Sequence, residues 1–256
     1  MKIVRFSHKD QIQYGVMTGN AVSAITGSPF DTFKETDHYF LLNEVKLLPP
    51  CQPYKIIALG VNYASHSKEM KSKLPADPLI FLKPSTAVIG PEDEIVYPPS
   101  SKKVDYEGEL GVVIKSVAQK VSKAEAKDYI LGYTCINDVT ARDLQAKDGQ
   151  WTRSKSFDTF CPIGPCIETE LDPAKLTLET LLNGKVVQKA KTSELIFKVP
   201  ELVSFISHVM TLLPGDVIAT GTPEGIGSMK DGDVVEVRIE GIGTLKNTVV
   251  KTQVKK

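Results

Sequence analysis

Two glutamates separated by a single residue are the clearest candidates for chemistry. Residues two apart in a β-strand face the same side, so Glu107 and Glu109 would present two carboxylates together. Neighbouring carboxylates repel each other unless a cation lies between them. The alternative is a solvated strand face, but the apolar residues that follow, Leu110, Val112 and Ile114, are typical of a buried strand. The pattern leaves both interpretations open, and the apolar run favours a buried metal site.

A third carboxylate follows later in the chain. Asp138 ends a strand-like run and precedes a helix-like one, a position at which functional groups concentrate. The alternative is a helix N-cap formed by Asp138 or Thr140, and the two roles are compatible. Three hard oxygen ligands with no soft partner suit Mg²⁺ or Mn²⁺, and Ca²⁺ is a further candidate.

An imidazole and a carboxylate lie three residues apart in residues 60–70. If this segment is helical, His66 and Glu69 can touch, and the carboxylate would orient the imidazole as a general base. The alternative is an exposed ion pair, worth a few tenths of a kcal/mol. Two lysines, Lys83 and Lys155, lie in contexts that are least typical of a helix surface, and either could bind an anionic substrate.

Residues 220–227 form a glycine-rich segment after a strand-like run. The segment lacks the Gly-Lys-Ser/Thr ending of a P-loop and the spacing of a dinucleotide-binding fingerprint, so nucleotide binding is disfavoured. A tight turn is one interpretation. The other is a loop whose backbone N–H groups bind a substrate carboxylate.

The elements that must position these residues are mostly strands. Residues 2–6, 13–17 and 21–25 predict a small β meander, and the proline-rich residues 49–53 predict a boundary. Further strands are predicted at the segments 56–59, 79–83, 110–114, 217–220 and 234–239.

Turn and capping signals add to this pattern. Asn183-Gly184 predicts a hairpin between residues 178–182 and 185–188. A capping box at residues 122–125 predicts a short helix to Ile130, stopped by Gly132. Pro200 and the apolar residues after it predict another helix, to about residue 209.

Composition narrows the class of protein. The 256 residues include 31 Lys plus Arg and 31 Asp plus Glu, so no global basic field exists to attract nucleic acid or an anionic membrane. Apolar runs are too short to cross a bilayer, and the N-terminus shows no export signal, which predicts a cytoplasmic protein. The four cysteines contain no Cys-x-x-Cys pair, which predicts buried, reduced thiols.

Taken in order, these segments resemble the fumarylacetoacetate hydrolase family, in particular its short acylpyruvate hydrolase and oxaloacetate decarboxylase-like members. The resemblance covers about residues 53–250, and residues 1–50 are similar to the family's variable small N-terminal domain. The six motifs that carry it are Gly60-Val61-Asn62-Tyr63-Ala64 with His66 and Glu69, Phe81-Leu82-Lys83-Pro84-Ser85, Glu107-Gly108-Glu109-Leu110-Gly111-Val112-Val113, Asn137-Asp138-Val139-Thr140-Ala141-Arg142-Asp143, Lys155-Ser156-Phe157-Asp158, and Pro214-Gly215-Asp216 through Thr220-Gly221-Thr222-Pro223.

The resemblance implies a fold and a set of site residues. The fold is a β-rich α+β one, a mixed β-sandwich roll with a few short helices, divided into a small N-terminal β domain at residues 1–50 and a catalytic domain at residues 53–256. The implied ligands of Mg²⁺ or Mn²⁺ are Glu107, Glu109 and Asp138. The implied catalytic residues are His66, Glu69 and Lys155. The implied substrate-binding residues are Arg142, Gln145 and Thr222, with Lys83 as a further candidate. Members of the family are commonly homodimers.

The implied reaction is metal-dependent C–C bond cleavage in a small 2,4-dioxo or 2-oxo dicarboxylic acid, of the acylpyruvate or oxaloacetate type, through a metal-stabilised pyruvate enolate. His66 would activate a water molecule, and Lys155 would add positive charge where the enolate develops. One alternative is an isomerase, tautomerase or decarboxylase acting on 2-hydroxyhepta-2,4-dienedioate or on the enol of oxaloacetate. Another is a non-catalytic protein that binds a metal and a dicarboxylate.

Overall fold

The computed structural model describes residues 1–71 and 73–251. In chain order the strands are β1 (Lys2–His8), β2 (Gln11–Thr18), β3 (Ala21–Gly27), β4 (Phe33–Leu41), β5 (Lys46–Leu48), β6 (Lys55–Gly60), β7 (Leu79–Pro84), β8 (Val88–Ile89), β9 (Glu94–Tyr97), β10 (Val104–Tyr106), β11 (Gly108–Ile114), β12 (Ile130–Asn137), β13 (Thr140–Ala141), β14 (Cys161–Glu168), β15 (Thr177–Leu182), β16 (Lys185–Lys191), β17 (Val217–Ala219), β18 (Gly227–Ser228), β19 (Val234–Ile239) and β20 (Gly243–Lys251). The α-helices are α1 (Ala64–Glu69), α2 (Arg142–Asp148), α3 (Thr152–Lys155) and α4 (Val199–Val209).

The strands of the described residues form one large sheet and two smaller ones. The large sheet has twelve strands, ten of them in the order β4-β3-β2-β1-β14-β12-β11-β17-β6-β7. A five-stranded sheet has the order β16-β15-β19-β20-β9, and a three-stranded sheet the order β13-β10-β18. The N-terminal meander joins the large sheet, because β1 pairs with β14. The division into residues 1–50 and 53–256 remains a prediction.

Strand β11 runs through the middle of the core. Leu110, Val112 and Ile114 belong to the largest hydrophobic cluster, which also contains side chains of β15, β19 and α4. Val113 points to the opposite side, into a second cluster. The strand is therefore covered by apolar side chains on both faces, as a buried central strand requires. This arrangement confirms the β-rich fold class predicted from the sequence.

Local signals correctly predict several elements. Asn183 and Gly184 both have positive φ, at 52° and 77°, and connect β15 to β16. Two successive positive φ values are what a type I′ hairpin turn requires. Helix α4 spans Val199–Val209 with a proline in its first turn, and its apolar side faces the core.

The short helix predicted up to Ile130 forms only as a 3-10 helix, and its predicted stop at Gly132 is wrong. The capping box forms, with the Ser122 N–H donating to Glu125 Oε2 at 3.2 Å, but only a 3-10 turn follows, at Ala126–Tyr129. Ile130 then begins β12. Gly132 is therefore a strand residue paired with Val113 and not a helix stop. The long-range pairing of β12 with β11 and β14 outweighs the local capping signal.

The predictions for the cysteines and for membrane-spanning segments can be compared with the fold. The thiols of Cys51, Cys135, Cys161 and Cys166 are all buried and unpaired with one another, which confirms the predicted reduced state. No α-helix within residues 1–71 and 73–251 has the length and apolar character needed to cross a bilayer. The cytoplasmic location remains a prediction.

The strand position of Gly132 can be tested by adding a single methyl group. A Cβ at this residue would lie 2.5 Å from the Glu168 carbonyl oxygen, a backbone atom that cannot move aside. We expect Gly132→Ala to lower the free energy of unfolding in urea by about 1–3 kcal/mol. Gly149→Ala is the matched control, because Gly149 follows α2 with a φ of 69° and open space around it. Its cost should be only about 1 kcal/mol of backbone strain. Gly132→Ala with no greater cost than the control would contradict this placement.

Candidate active site and metal centre

The three predicted metal ligands come together. Glu107 lies at the break between β10 and β11, Glu109 is in β11, and Asp138 follows β12. The antiparallel register of β11 and β12 brings Asp138 beside Glu107, and the Asp138 N–H donates to the Glu107 carbonyl oxygen at 2.8 Å. One carboxylate oxygen from each residue lies within 4.8 Å of the other two. All three residues are at most 4% exposed, so this is not a solvated strand face. Helix α2 begins only at Arg142, so Asp138 is not its N-cap.

Two cations contact this acidic set from the cavity side. The Lys155 ammonium donates to Glu107 Oε2 at 2.7 Å and to Asp138 Oδ2 at 2.6 Å. The Arg142 guanidinium pairs with Glu107 through Nη2 and with Asp105 through Nε, the latter at 2.9 Å. Charge-assisted hydrogen bonds of this kind keep buried carboxylates ionised and fixed in place.

Lys83 lies elsewhere than expected for a substrate-binding residue. Its side chain is fully buried, does not line the cavity beside the acidic set, and donates to Asp138 Oδ1 at 2.5 Å and to the Val139 carbonyl oxygen at 3.3 Å. Strand β7 carries its ammonium group to Asp138. Lys83 therefore positions a candidate metal ligand and does not face the space that a substrate would occupy.

Glu109 is the carboxylate with the least compensation. Its Oε2 accepts a hydrogen bond from the Gly221 N–H at 2.7 Å, while its buried Oε1 has no hydrogen-bond partner among the described residues. Burial, and then the charges of Asp138 and Glu107, raise the pKa of Glu109 well above its usual range. A buried, unpartnered carboxylate oxygen next to two further carboxylates fits a hard divalent cation.

In the two neighbouring groups, Glu107 and Lys155, ion pairing outweighs burial and favours the charged form. Burial alone would raise the pKa of Glu107, but the charges of Lys155 and Arg142 outweigh it and hold that pKa well below its usual range. Burial would lower the pKa of Lys155, and here the charges of Asp138 and Glu107 prevail and raise it. Near neutral pH, Lys155 is thus a fixed positive charge and Glu107 a fixed negative one.

A cavity of about 150 Å³ opens beside the acidic set. The predicted site residues in its wall are His66, Glu107, Arg142, Gln145, Lys155 and Thr222. The Thr222 hydroxyl is already engaged, since it donates to the Gly108 carbonyl oxygen at 3.0 Å and accepts from Gln188 Nε2 at 2.9 Å. Arg142 Nη1 donates to Gln145 Oε1 at 2.7 Å, so these two residues form one polar wall.

The predicted dyad forms on α1. His66 Nδ1 lies 3.1 Å from Glu69 Oε2, with the His66 side chain 8% exposed and the Glu69 side chain 30% exposed, so the pair is buried on the His66 side and open to solvent on the Glu69 side. Glu69 does not line the cavity and contacts His66 from behind. A carboxylate on one imidazole nitrogen orients the ring and leaves the other nitrogen available as a base.

Sequence analysis missed an aromatic wall. The rings of Phe81 and Trp151 pack edge to face, 5.2 Å apart, and both line the cavity. A Cβ on Gly60 would lie 2.6 Å from the Trp151 ring, so the indole packs directly on that backbone. The lone tryptophan of the chain was a visible signal, but its partner Phe81 is 70 residues away in sequence.

Two amides of the glycine-rich segment bind carboxylates of the site. The Gly221 N–H donates to Glu109 and the Gly225 N–H donates to Glu69 Oε1 at 3.0 Å. Both amides are therefore occupied by carboxylates of the chain itself. Neither is available to bind a substrate carboxylate in this conformation.

Comparison with known proteins now gives the family. Residues 55–250 match the model of the fumarylacetoacetate (FAA) hydrolase C-terminal domain, and residues 1–50 match an Rv2993c-like N-terminal domain. The chain belongs to the fumarylacetoacetate hydrolase family. The six motifs that resembled this family all lie within the matched region or at its edge.

Relatives within the fumarylacetoacetate hydrolase family carry several activities. An oxaloacetate tautomerase of Rattus norvegicus is 40% identical over 80% of this chain and 69% of its own. The structure of a 2-hydroxyhepta-2,4-diene-1,7-dioate isomerase from Mycobacterium marinum is 46% identical, with a TM-score of 0.93, over 98% of this chain and 99% of its own. A maleylpyruvate hydrolase from Sphingobium, solved with manganese(II) and pyruvate, is 32% identical, with a TM-score of 0.82, over 99% of this chain and all of its own.

Metal affinity should depend on pH through Glu109. Deprotonating this buried carboxyl costs free energy, so the metal-free protein loses stability as pH rises from the usual glutamate pKa, about 4.3, through the raised folded value. A bound cation offsets that cost. We therefore expect Mn²⁺ affinity, measured by calorimetry, to rise up to about tenfold per pH unit below the raised pKa, with release of about one proton. Glu109→Gln should bind Mn²⁺ more weakly and without this pH dependence. Pronounced proton release in the variant would contradict the assignment.

The position of Lys83 predicts a stability effect. We expect Lys83→Met to lower the free energy of unfolding by about 3–5 kcal/mol without metal, because Asp138 loses a buried countercharge. Excess Mn²⁺ should restore part of this loss by returning positive charge to the site. Lys46→Met is the control, since Lys46 is 62% exposed in its pair with Asp93 and should cost at most about 1 kcal/mol. A raised KM with unchanged stability would show instead that Lys83 contacts substrate.

Proposed function

We propose that this chain is a divalent-metal-dependent enzyme that acts on small 2-oxo acids through their enol or enolate. The observation that carries the proposal is the position of His66, backed by Glu69, in the wall of the same cavity as Glu107, whose carboxylate belongs to the acidic set. A protein that only binds a metal and a dicarboxylate has no need of an oriented general base. The named relatives, a tautomerase, an isomerase and a hydrolase, support the same class of substrate.

Each group has a defined task in this proposal. Glu107, Glu109 and Asp138 would hold the metal ion, Mg²⁺ or Mn²⁺. The ion, when bound, supplies Lewis acidity that favours negative charge on the 2-oxo oxygen. Lys155 holds a permanent positive charge beside that oxygen, and Arg142 with Gln145 orients the substrate's polar end.

We place tautomerisation first among the reactions. It requires only that His66 take a proton from C3 of the keto form and that the imidazolium then give a proton to the 2-oxo oxygen, and one base in the cavity wall suffices for this. The tautomerase relative, 40% identical, supports this ranking over the C–C bond cleavage that the sequence motifs alone favoured.

C–C bond cleavage is the second candidate. Hydrolysis of an acylpyruvate would require His66 to deprotonate a water molecule that attacks the distal carbonyl, and the hydrolase relative, 32% identical, supports it. Decarboxylation of oxaloacetate would lose CO₂ and needs no attacking water. The small cavity, about 150 Å³, suits compact substrates of either kind. A homodimer, and the lack of nucleic-acid or membrane partners, remain predictions.

Turnover by purified protein with Mn²⁺ tests the proposal. Decay of the enol absorbance of oxaloacetate reports tautomerisation, formation of pyruvate reports decarboxylation, and loss of acetylpyruvate reports hydrolysis. We expect His66→Asn to lower kcat by about 10²- to 10⁴-fold with Mn²⁺ affinity retained, because only the base is lost. His208→Asn is the control, since His208 is exposed on α4 and bonds the Ser204 carbonyl oxygen. Absence of turnover of all three substrates, or full activity of His66→Asn, would refute the proposal.

A further inference from the structure

Backbone amides of residues 220–225 bind one carboxylate of the acidic set and the carboxylate of the His66–Glu69 dyad. The Gly221 N–H donates to the candidate metal ligand Glu109, and the Gly225 N–H donates to the dyad carboxylate Glu69, at 2.7 Å and 3.0 Å. The two donors are four positions apart in the chain. The spacing between the metal ligands and the dyad is therefore set by this short length of backbone, which we call the bridging segment.

Helix α1, which carries the dyad, is attached to the bridging segment at both ends. Before the helix, Asn62 Nδ2 donates to the Thr220 carbonyl oxygen at 2.8 Å, while Asn62 Oδ1 accepts from the Phe197 N–H, also at 2.8 Å. At its last residue, Glu69 accepts from Gly225. A helix of six residues has little stability of its own, so these attachments determine where His66 lies.

Gly225 needs an external constraint. Its φ of 95° is in the region that favours glycine, and a Cβ there would lie 2.2 Å from the Val187 carbonyl oxygen, so no other residue fits. Glycine has more backbone freedom than any other residue, and an unrestrained glycine would be a poor anchor for a carboxylate. The Tyr106 hydroxyl supplies the restraint, because it donates to the Gly225 carbonyl oxygen at 3.0 Å.

Tyr106 is itself well fixed. It is 4% exposed, lies in β10, and pairs through its backbone with Gly227 of β18. The phenol therefore holds the carbonyl of Gly225 while the sheet holds the chain two residues further on. Tyr106 does not line the cavity and cannot touch a substrate there.

We propose that Tyr106 and Gly225 are positioning residues for the His66–Glu69 dyad. The Tyr106 hydroxyl restrains Gly225, the Gly225 N–H binds one oxygen of Glu69, and the other oxygen of Glu69 is thereby directed at His66 Nδ1. The ring then presents its remaining nitrogen to the cavity. The role in catalysis rests on the proposed function of His66 as the base, whereas the hydrogen-bond chain itself does not.

Removal of the Tyr106 hydroxyl tests this series of hydrogen bonds by its effect on kinetics. We expect Tyr106→Phe to lower kcat about 3- to 10-fold, the effect of one lost hydrogen bond, with KM and Mn²⁺ affinity unchanged. In a Glu69→Ala background the same substitution should have no further effect, because the two act through one path. Tyr133→Phe is the matched control, since Tyr133 is 5% exposed in β12, away from the cavity, and should leave kcat unchanged. Additive losses, weakened Mn²⁺ binding or an unchanged kcat in Tyr106→Phe would overturn the proposal.

A second measurement does not depend on turnover. The ring nitrogen resonances of ¹⁵N-labelled His66, assigned with His66→Asn, report its contact with Glu69. They should shift in Tyr106→Phe and stay in place in Tyr133→Phe. If the wild-type protein converts none of the three substrates, the proposed function fails. The resonance experiment still shows whether the Tyr106 hydroxyl, acting through Gly225, positions Glu69 against His66. An unchanged His66 signal in Tyr106→Phe would overturn this positioning role.

Discussion

The burial of three carboxylates in one small volume is the constraint on which the rest of the structure depends. Charged groups removed from water cost several kcal/mol each unless they are paired, so the fold must bring cations to them. Lys83 on β7, Lys155 at the end of α3 and Arg142 at the start of α2 meet this need. The three cations come from separate elements, and each element owes its position to the large sheet or to the turns that leave it. Glu109 keeps one uncompensated oxygen, and this is where a divalent cation fits the chain best.

A second constraint is the distance between the proposed base, His66, and the acidic set. The chain sets this distance with backbone amides of the bridging segment, which bind Glu109 at one end and Glu69 at the other. Backbone donors on a segment anchored by β17 and β18 vary little in position, in contrast to long side chains. Helix α1 is held in position by these contacts, because a helix of this length has little stability of its own. These two amides cannot at once bind a substrate carboxylate.

The site also shows why membership of the family leaves the reaction open. One set of carboxylates, one dyad and one polar wall suit proton transfer at C3, attack by water or loss of CO₂, because all three pass through an enolate. In the proposed function the site would favour one class of intermediate, and smaller features would choose the outcome. Phe81 and Trp151 are part of the apolar lining of this cavity, and the Lys155 ammonium lies 5.0 Å from the centre of the Phe81 ring.

Much of this could be predicted from local sequence, because turn chemistry and side-chain periodicity act over a few residues. The Asn183-Gly184 hairpin, helix α4 and the His66–Glu69 contact are of this kind. The alternation around β11 likewise placed Glu107 and Glu109 together, and the family motifs identified the other site residues. The helix predicted at residues 122–130 forms only as a 3-10 helix, because strand pairing outweighed a local cap.

Only the tertiary structure decided which distant residues meet. The contact of Lys83 with Asp138 spans 55 positions, and that of Gly225 with Glu69 spans 156. Such contacts follow from sheet order and register, which depend on the packing of the whole core and leave no periodic signal in the chain. The amino-acid sequence by itself thus determined the chemical groups of the candidate site, while the fold alone decided that Lys83 contacts the candidate metal ligand Asp138 and that two glycine amides bind the carboxylates of Glu109 and Glu69.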